Sequence, residues 1–188
     1  MTTVSRPFTI SVLIAFAAMA LLALSFLPSS AAAQEKTVSE KMVGTWTMVS
    51  NISTSADGKK SDTFGPNARG LLIFTNYGRY SWNTVSKLPK FASNNQNTGT
   101  ADENKAAVRG SVAHFGTYLV NDVDKSFTVT VEGSAYPNSS GTSLKQMVAV
   151  WADEMTITSV ALDGGTVEIK WKKVPAIDPL LGVGAGPG

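Results

Sequence analysis

The chain has 188 residues, a formal net charge of +2, one histidine and no cysteine. The absence of cysteine excludes disulfides, cysteine nucleophiles and thiolate metal sites, and a single histidine excludes zinc sites built on several histidines. The nearly balanced charge argues against nucleic-acid binding, because phosphate contacts need a concentrated basic face.

The chain begins with a segment that is typical of an export signal. Arg6 precedes an apolar run at residues 8–27, Pro28 interrupts the run, and small residues at 31–33 offer a cleavage site before Gln34. We therefore predict a cleaved signal peptide at residues 1–33 and a periplasmic or secreted protein. The alternative is an uncleaved membrane anchor, since about 20 apolar residues can span a bilayer.

The mature chain divides into three parts. We predict an N-terminal linker at residues 34–42, one domain at residues 43–174, and a flexible tail rich in glycine and proline at residues 175–188. No second long apolar run occurs in the sequence, so we expect no membrane span in the mature domain.

Within the domain, apolar residues recur with the period of two that is typical of β-strands. Trp46, Met48 and Ile52 are predicted to share one face of the first strand. The polar segment at residues 53–68 is predicted to be a loop. The pattern predicts eight strands, at residues 44–52, 70–75, 79–85, 115–120, 127–132, 144–151, 155–160 and 167–172.

The mature sequence also predicts one short helix. Thr100 and Glu103 have the spacing of a capping box, in which a hydroxyl caps the helix and a carboxylate follows three residues later. Alanine and valine residues follow this signal, so we place the helix at residues 101–112.

These elements predict an all-β fold. Eight strands joined mainly by short turns favour an eight-stranded antiparallel up-and-down β-barrel with one short helix. A barrel of this size encloses either a packed core or one small ligand. A two-sheet sandwich is the structural alternative.

Several segments, in their order and spacing, resemble the lipocalin-like domain family of bacterial and fungal proteins. The resemblance covers residues 43–174. It is carried by Gly44-Thr45-Trp46, Phe64-Gly65-Pro66-Asn67, Gly70-Leu71-Leu72-Ile73-Phe74-Thr75, Gly78-Arg79, Gly99-Thr100, His114-Phe115-Gly116-Thr117-Tyr118, Val131-Glu132-Gly133-Ser134, Pro137-Asn138 and Gly141-Thr142.

The resemblance implies a lipocalin-like calyx with a cavity for a small, usually apolar molecule, and it implies no defined reaction. Lipocalins carry a Gly-x-Trp motif on the first strand, which Gly44-Thr45-Trp46 matches, and often a basic residue that packs on the tryptophan. Lys170, Lys172 or Lys173 could be that residue here.

The candidate ligand-binding residues are aromatic or ionisable and lie on different predicted strands. Aromatic side chains line apolar pockets, and their polar tips orient a ligand. As the only histidine, His114 is the acid–base candidate near neutral pH. The predicted set is Tyr80, Trp82, His114, Tyr118, Glu132 and Trp151.

Each candidate also has a purely structural interpretation. His114 could lie solvated at the barrel rim, and the aromatic residues could be ordinary core. Glu132 could face outward in alternation with its valine neighbours, or face inward with Arg79 or Arg109 as its partner. A register shift of one residue reverses these outcomes.

The sequence favours an exported binding protein that holds a small hydrophobic or amphipathic molecule in the barrel. We find no serine-nucleophile elbow, phosphate loop or dinucleotide glycine pattern, and we assign no cofactor, metal or catalytic residue. The alternative is a proton-transfer enzyme of the isomerase or cyclase type, acting on an apolar substrate through His114, Tyr118 and Glu132. A third hypothesis is a structural envelope protein with a solid core.

Overall fold

A computed structural model describes residues 1, 35–161 and 163–176 of the protein. Two compact units, Met1–Glu35 and Lys36–Gly188, are distinguished, and the second holds every described helix and strand. The predicted signal peptide beyond its first residue, and most of the predicted tail, lie outside the described residues. No helix in the described part of the chain is long and apolar enough to cross a membrane.

The described residues form nine strands and two α-helices. The helices are α1 (Val38–Met42) and α2 (Ala101–Arg109), and short 3₁₀ helices occupy Gln96–Thr98 and Pro137–Ser139. The strands are β1 (Gly44–Thr54), β2 (Lys60–Asp62), β3 (Arg69–Phe74), β4 (Arg79–Val85), β5 (Ser111–Asn121), β6 (Ser126–Ser134), β7 (Ser143–Trp151), β8 (Glu154–Val160) and β9 (Thr166–Lys173).

Eight of the strands form a closed antiparallel barrel. Strands β3 to β9 pair in sequence order, and β1 pairs with both β3 and β9, which closes the ring. The predicted eight-stranded up-and-down barrel is therefore confirmed, and the sandwich is excluded. Strand β2 lies outside the ring, paired only with the Ile52–Thr54 end of β1.

Strand β2 and helix α1 were not predicted from the sequence. The three residues of β2 are all exposed and polar, so they show no alternation of apolar side chains. Helix α1 is a single turn within the predicted linker, capped by reciprocal hydrogen bonds between Thr37 and Glu40. The predicted helix at 101–112 ends earlier, at Arg109, because Gly110 terminates α2 and Ser111 begins β5.

The up-and-down order gives the barrel two ends. At the end where β1 begins, which we call the closed end, helix α1 buries Val38 and Met42. The indole N–H of Trp46 donates to the carbonyl oxygen of Met42 over 2.8 Å. Lys173 Nζ lies 4.9 Å from the Trp46 ring centroid and donates to the carbonyl oxygen of Lys41 over 3.0 Å. The basic residue that packs on the tryptophan is therefore Lys173.

The opposite end, which we call the open end, carries the longer connections. They comprise residues 55–68 with β2, residues 86–110 with α2, residues 135–142 and the turn between β8 and β9. Among the described residues of these connections, no side chain is buried. The two ends therefore differ: buried side chains of α1 cover the closed end, whereas the connections at the open end bury no side chain among the described residues.

Two β-bulges change which side chains face the interior. The register between β1 and β9 shifts between Met48 and Ser50, so Val49 is an extra residue and Asn51 faces inward. The prediction that Ile52 shares a face with Trp46 and Met48 is therefore wrong. A second bulge, opposite Phe115 and Gly116 of β5, makes Glu132 the extra residue of β6.

Candidate functional site

Four ring side chains meet inside the barrel, and we call them the aromatic cluster: Tyr80, Trp82, His114 and Trp171. Strand β4 supplies the first two, and the pairing of Trp82 with His114 across β4 and β5 places those rings side by side, 5.7 Å apart. The Trp171 ring, from β9 on another part of the wall, contacts Trp82 edge-on at 5.3 Å. Three of the six predicted ligand-binding residues therefore lie together.

Tyr80 and His114 are joined by a hydrogen bond. The Tyr80 hydroxyl lies 2.9 Å from His114 Nδ1, and the two rings meet edge to face. His114 is only partly buried, and among the described residues its Nε2 has no hydrogen-bond partner. One ring nitrogen of the histidine is therefore without a partner among the described residues.

Burial keeps both members of this pair neutral near neutral pH. Burial raises the pKa of Tyr80 to about 12, with a smaller contribution from the negative charge of Glu132. Burial lowers the pKa of His114 below its ordinary value of 6.5. The pair thus presents a phenol and a neutral imidazole, which can exchange hydrogen bonds with an uncharged polar group.

Tyr118 lies apart from the cluster, nearer the closed end. Its hydroxyl donates to the carbonyl oxygen of Thr75 over 2.7 Å, and its ring packs 4.8 Å from that of Phe74. Burial raises its pKa above the ordinary value. Because the hydroxyl is already bonded, Tyr118 serves as core and cap of the β3–β4 turn.

Glu132 and Trp151 do not face the interior, so the structure does not bring them together with the other predicted ligand-binding residues. For Glu132 this is the outward alternative. Glu132 points outward from the β6 bulge and forms two hydrogen bonds with Arg79, of 2.5 and 2.7 Å. This pairing lowers the pKa of Glu132. Of the two predicted partners, Arg79 rather than Arg109 makes this contact. Trp151 ends β7 on the outer face and is 81% exposed.

Sequence analysis missed two interior residues of this region as site residues. Trp171 follows the alternation of β9, but nothing in the pattern distinguishes it from core. Asn51 follows the β1 bulge, which alternation cannot reveal. Both side chains are buried, and neither Asn51 Oδ1 nor Trp171 Nε1 has a hydrogen-bond partner among the described residues.

Charged side chains lie mostly outside the barrel. A polar groove of about 470 Å³ lies on the outer wall beside β2, and its charged lining residues are Lys60, Asp62, Glu168 and Lys170. No group of three or more histidine, aspartate or glutamate side chains in the described part of the chain could hold a metal ion. The interior and the outer groove therefore differ sharply in chemistry.

Comparison with known families identifies the class of domain. A profile described as the lipocalin-like domain matches residues 43–174. The chain belongs to this family, and the resemblance that the sequence segments indicated is confirmed.

Comparison with solved structures finds two designed proteins that are similar to the chain. One is a redesigned β-barrel, 12% identical, with a TM-score of 0.40, covering 74% of this chain and 96% of that chain. The other is a de novo designed fluorescence-activating β-barrel, 14% identical, with a TM-score of 0.39, covering 74% of this chain and 100% of that chain. No curated protein matches the sequence.

Proposed function

We propose that the protein binds a small hydrophobic or amphipathic molecule in the interior of its barrel, through the open end. The observation that carries this proposal is the aromatic cluster, in which His114 remains partly exposed beside the buried ring of Trp82, and Trp171 packs against Trp82. Sites for small molecules combine apolar and aromatic walls with a few placed polar groups. The cluster has that composition.

The polarity of the interior indicates the kind of ligand. By strand register, the inward positions of the described strands carry apolar or uncharged polar side chains, with His114 neutral near neutral pH. The exception is Lys173, which is engaged at the closed end with Trp46 and Lys41. A charged ligand group would lose its hydration without gaining a partner. The interior therefore favours an uncharged molecule.

Tryptophan fluorescence tests the binding proposal directly. The variant Trp151→Phe removes the exposed indole, so that the signal reports the buried rings, two of which belong to the aromatic cluster. We expect saturable fluorescence changes with some uncharged apolar molecules. His114→Ala should weaken the response, whereas Leu119→Ala, on the outer face, should not. Absence of saturable binding across a broad panel, with the barrel intact by circular dichroism, would contradict the proposal.

We also propose that the protein is exported and that residues 1–33 are removed. The proposal rests on the charge, apolar run and small residues of the N-terminal sequence. Intact-mass analysis of the protein from its native host tests it. We expect a mature chain that begins at Gln34 in the periplasmic or extracellular fraction. A full-length chain in the membrane fraction would instead support the anchor.

The Tyr80–His114 hydrogen bond favours a second candidate function, proton transfer to and from an apolar substrate. A neutral imidazole near neutral pH can accept a proton from carbon and return it to another position. Tyr80 takes the place of Tyr118 in this hypothesis, because the Tyr118 hydroxyl is bonded to Thr75. Incubating a bound ligand in deuterium oxide tests it: we expect deuterium in the ligand with the native protein and none with His114→Gln. Ligand recovered without deuterium from the native protein would exclude this function.

A further inference from the structure

Two buried polar atoms on the inner wall of the barrel have no partner within the protein. Asn51 is 4% exposed and Trp171 is 1% exposed, and neither Asn51 Oδ1 nor Trp171 Nε1 makes a hydrogen bond to any described residue. Buried polar groups in proteins are nearly always paired, since an unpaired one loses its hydration without compensation. The two atoms are an acceptor and a donor, respectively.

The other two buried indoles provide an internal comparison. Trp46 Nε1 donates to the carbonyl oxygen of Met42, and Trp82 Nε1 donates to Thr84 Oγ1 over 3.3 Å. Both satisfy their N–H groups within the fold. Trp171 is equally buried but is not satisfied, although it sits beside Trp82.

The register brings Asn51 and Trp171 close together on the same wall. Asn51 pairs with Ile169, and Ile169 precedes Trp171 by one inward position of β9. Diagonal neighbours of this kind are about 7–8 Å apart between backbone positions. A single small polar group between them can therefore contact both side chains.

Packing holds the indole in place, and the inward side chains nearer the open end are less buried than Asn51 and Trp171. A Cβ atom at Gly70 would lie 3.2 Å from Trp171 Cη2 and 2.8 Å from Met48 Cβ, so the missing side chain provides the space that the indole occupies. The next inward pair toward the open end, Ser53 with Val167, is only partly buried. Trp171 is thus fixed by packing, below a partly exposed pair of small side chains.

We propose that Asn51 and Trp171 form a recognition site for the polar group of the bound molecule, and that this group is an uncharged hydroxyl or amide. The Trp171 N–H requires an acceptor and the Asn51 carbonyl requires a donor, and a hydroxyl or amide supplies both. A carboxylate supplies no donor for Asn51 and finds no cation at this level of the described interior. The inference rests on the proposed function, because it names the ligand class for the same interior.

A matched set of probes tests this assignment. Decanol and decanamide carry both a donor and an acceptor, methyl decyl ether carries only an acceptor, and decanoate carries a charge. We expect decanol and decanamide to bind about tenfold more tightly than the ether, the ratio that one additional hydrogen bond provides. Decanoate should bind more weakly than the ether.

Two variants separate the contribution of Asn51 to ligand affinity from that of Trp171. Asn51→Leu should remove the preference for decanol over the ether and should raise the thermal stability of the free protein, because it replaces an unpaired polar side chain with an apolar one. Trp171→Phe should weaken decanol and the ether alike, about tenfold. Glu132→Gln, on the outer face, serves as the control and should change neither affinity.

Nuclear magnetic resonance of the indole N–H groups provides a readout in the unmodified protein. Decanol should shift the Trp171 indole signal, identified by its loss in Trp171→Phe, and leave the internally bonded Trp46 signal in place. If the probes bind with equal affinity and the Trp171 signal does not move, the recognition site is wrong while the binding function stands. If no probe or panel molecule binds to the intact barrel, the binding function fails as well.

Discussion

The hydroxyl of Tyr80 and the Nδ1 atom of His114 lie 2.9 Å apart inside the barrel, within a fold whose carboxylates point outward from the described strands. The two residues come from adjacent strands, and Gly116 is the direct partner of Tyr80 across that pairing. Burial is the main cause of both pKa shifts: it raises the pKa of the Tyr80 phenol and lowers the pKa of the His114 imidazole. Both groups therefore stay uncharged where most proteins operate.

Protonation of His114 should make the stability of the protein depend on pH. In the unfolded chain the imidazole takes up a proton near pH 6.5, whereas burial lowers its pKa in the folded protein. Between these two values the unfolded chain binds more protons, so the free energy of unfolding falls as the pH falls. We expect a slope of at most about 1.4 kcal/mol per pH unit below pH 6.5.

Denaturant unfolding at a series of pH values measures this slope. Since the chain has one histidine, His114→Gln should remove it. Carboxyls with a lowered pKa, such as Glu132 and Asp124, lose their stabilising contribution as the pH falls from the ordinary range of carboxyl titration down through their lowered pKa, which is well below pH 6.5. An unchanged slope in His114→Gln would show that the histidine is not the group responsible.

Gly116 should be essential for the pairing of β5 with β6. A Cβ atom at this position would collide with the backbone carbonyl of Thr130 and come within 2.9 Å of the backbone nitrogen of Glu132. Backbone atoms cannot yield without breaking the bulge, so Gly116→Ala should lower the free energy of unfolding by about 2 kcal/mol or more. Chemical denaturation followed by circular dichroism measures the difference.

Gly133 offers a matched control on the same strand pair. A Cβ atom there would approach only the ring of Phe115, which is 52% exposed and free to turn away. Gly133→Ala should therefore change the free energy of unfolding by no more than about 0.5 kcal/mol. Equal losses of unfolding free energy in Gly116→Ala and Gly133→Ala would contradict the conclusion that the β6 backbone leaves no room for a Cβ atom at Gly116.

Helix α1 should contribute strongly to the stability of the domain, although it precedes the segment that matches the family profile. Met42 is fully buried and its carbonyl accepts the Trp46 indole N–H. Met42→Ala should lower the free energy of unfolding by about 2–5 kcal/mol, the usual cost of such a deletion in a core. Ser39→Ala, on the same turn but only partly buried, should cost much less. A loss as large as that of Met42→Ala would contradict the assignment of the stabilisation to the packing of Met42.

Ligand binding should be insensitive to the outer face of the barrel. Glu132→Gln breaks the two hydrogen bonds to Arg79, and Trp151→Phe changes an exposed ring. Both variants should bind a ligand with native affinity, whereas His114→Gln should lose about tenfold. Titration calorimetry compares them, and a tenfold loss in either outer-face variant would move the site to that surface.

Strand β6 shows how much the alternation of apolar and polar residues can predict. Val129 and Val131 alternate with polar residues in the sequence, which predicts one apolar face of β6, and both are buried. The strand count and the up-and-down barrel follow from this regularity, whereas the proximity of Trp82 to His114 depends on the register between β4 and β5. Alternation leaves two choices of face for each strand, and only packing against the rest of the barrel decides between them.

Bulges are where prediction from the sequence fails. An extra residue at Val49 reverses the order of inward and outward positions in the rest of β1, so Asn51 is buried and Ile52 faces out. The bulge is set by the pairing of β1 with β9, which is more than a hundred residues away in sequence. Strand β2 likewise cannot be predicted from the sequence pattern, because it is held by main-chain pairing to β1 and has no buried side chain.

Helix α1, the Trp46 indole and Lys173 together cover the closed end of the barrel. If a molecule binds inside through the open end, as proposed, it has to leave by the same end. A competing ligand in solution can then bind only after the first ligand has dissociated. The rate of ligand exchange would then equal the dissociation rate constant and would not depend on the concentration of competitor. This kinetic behaviour is that of a protein that retains its ligand and not of a channel.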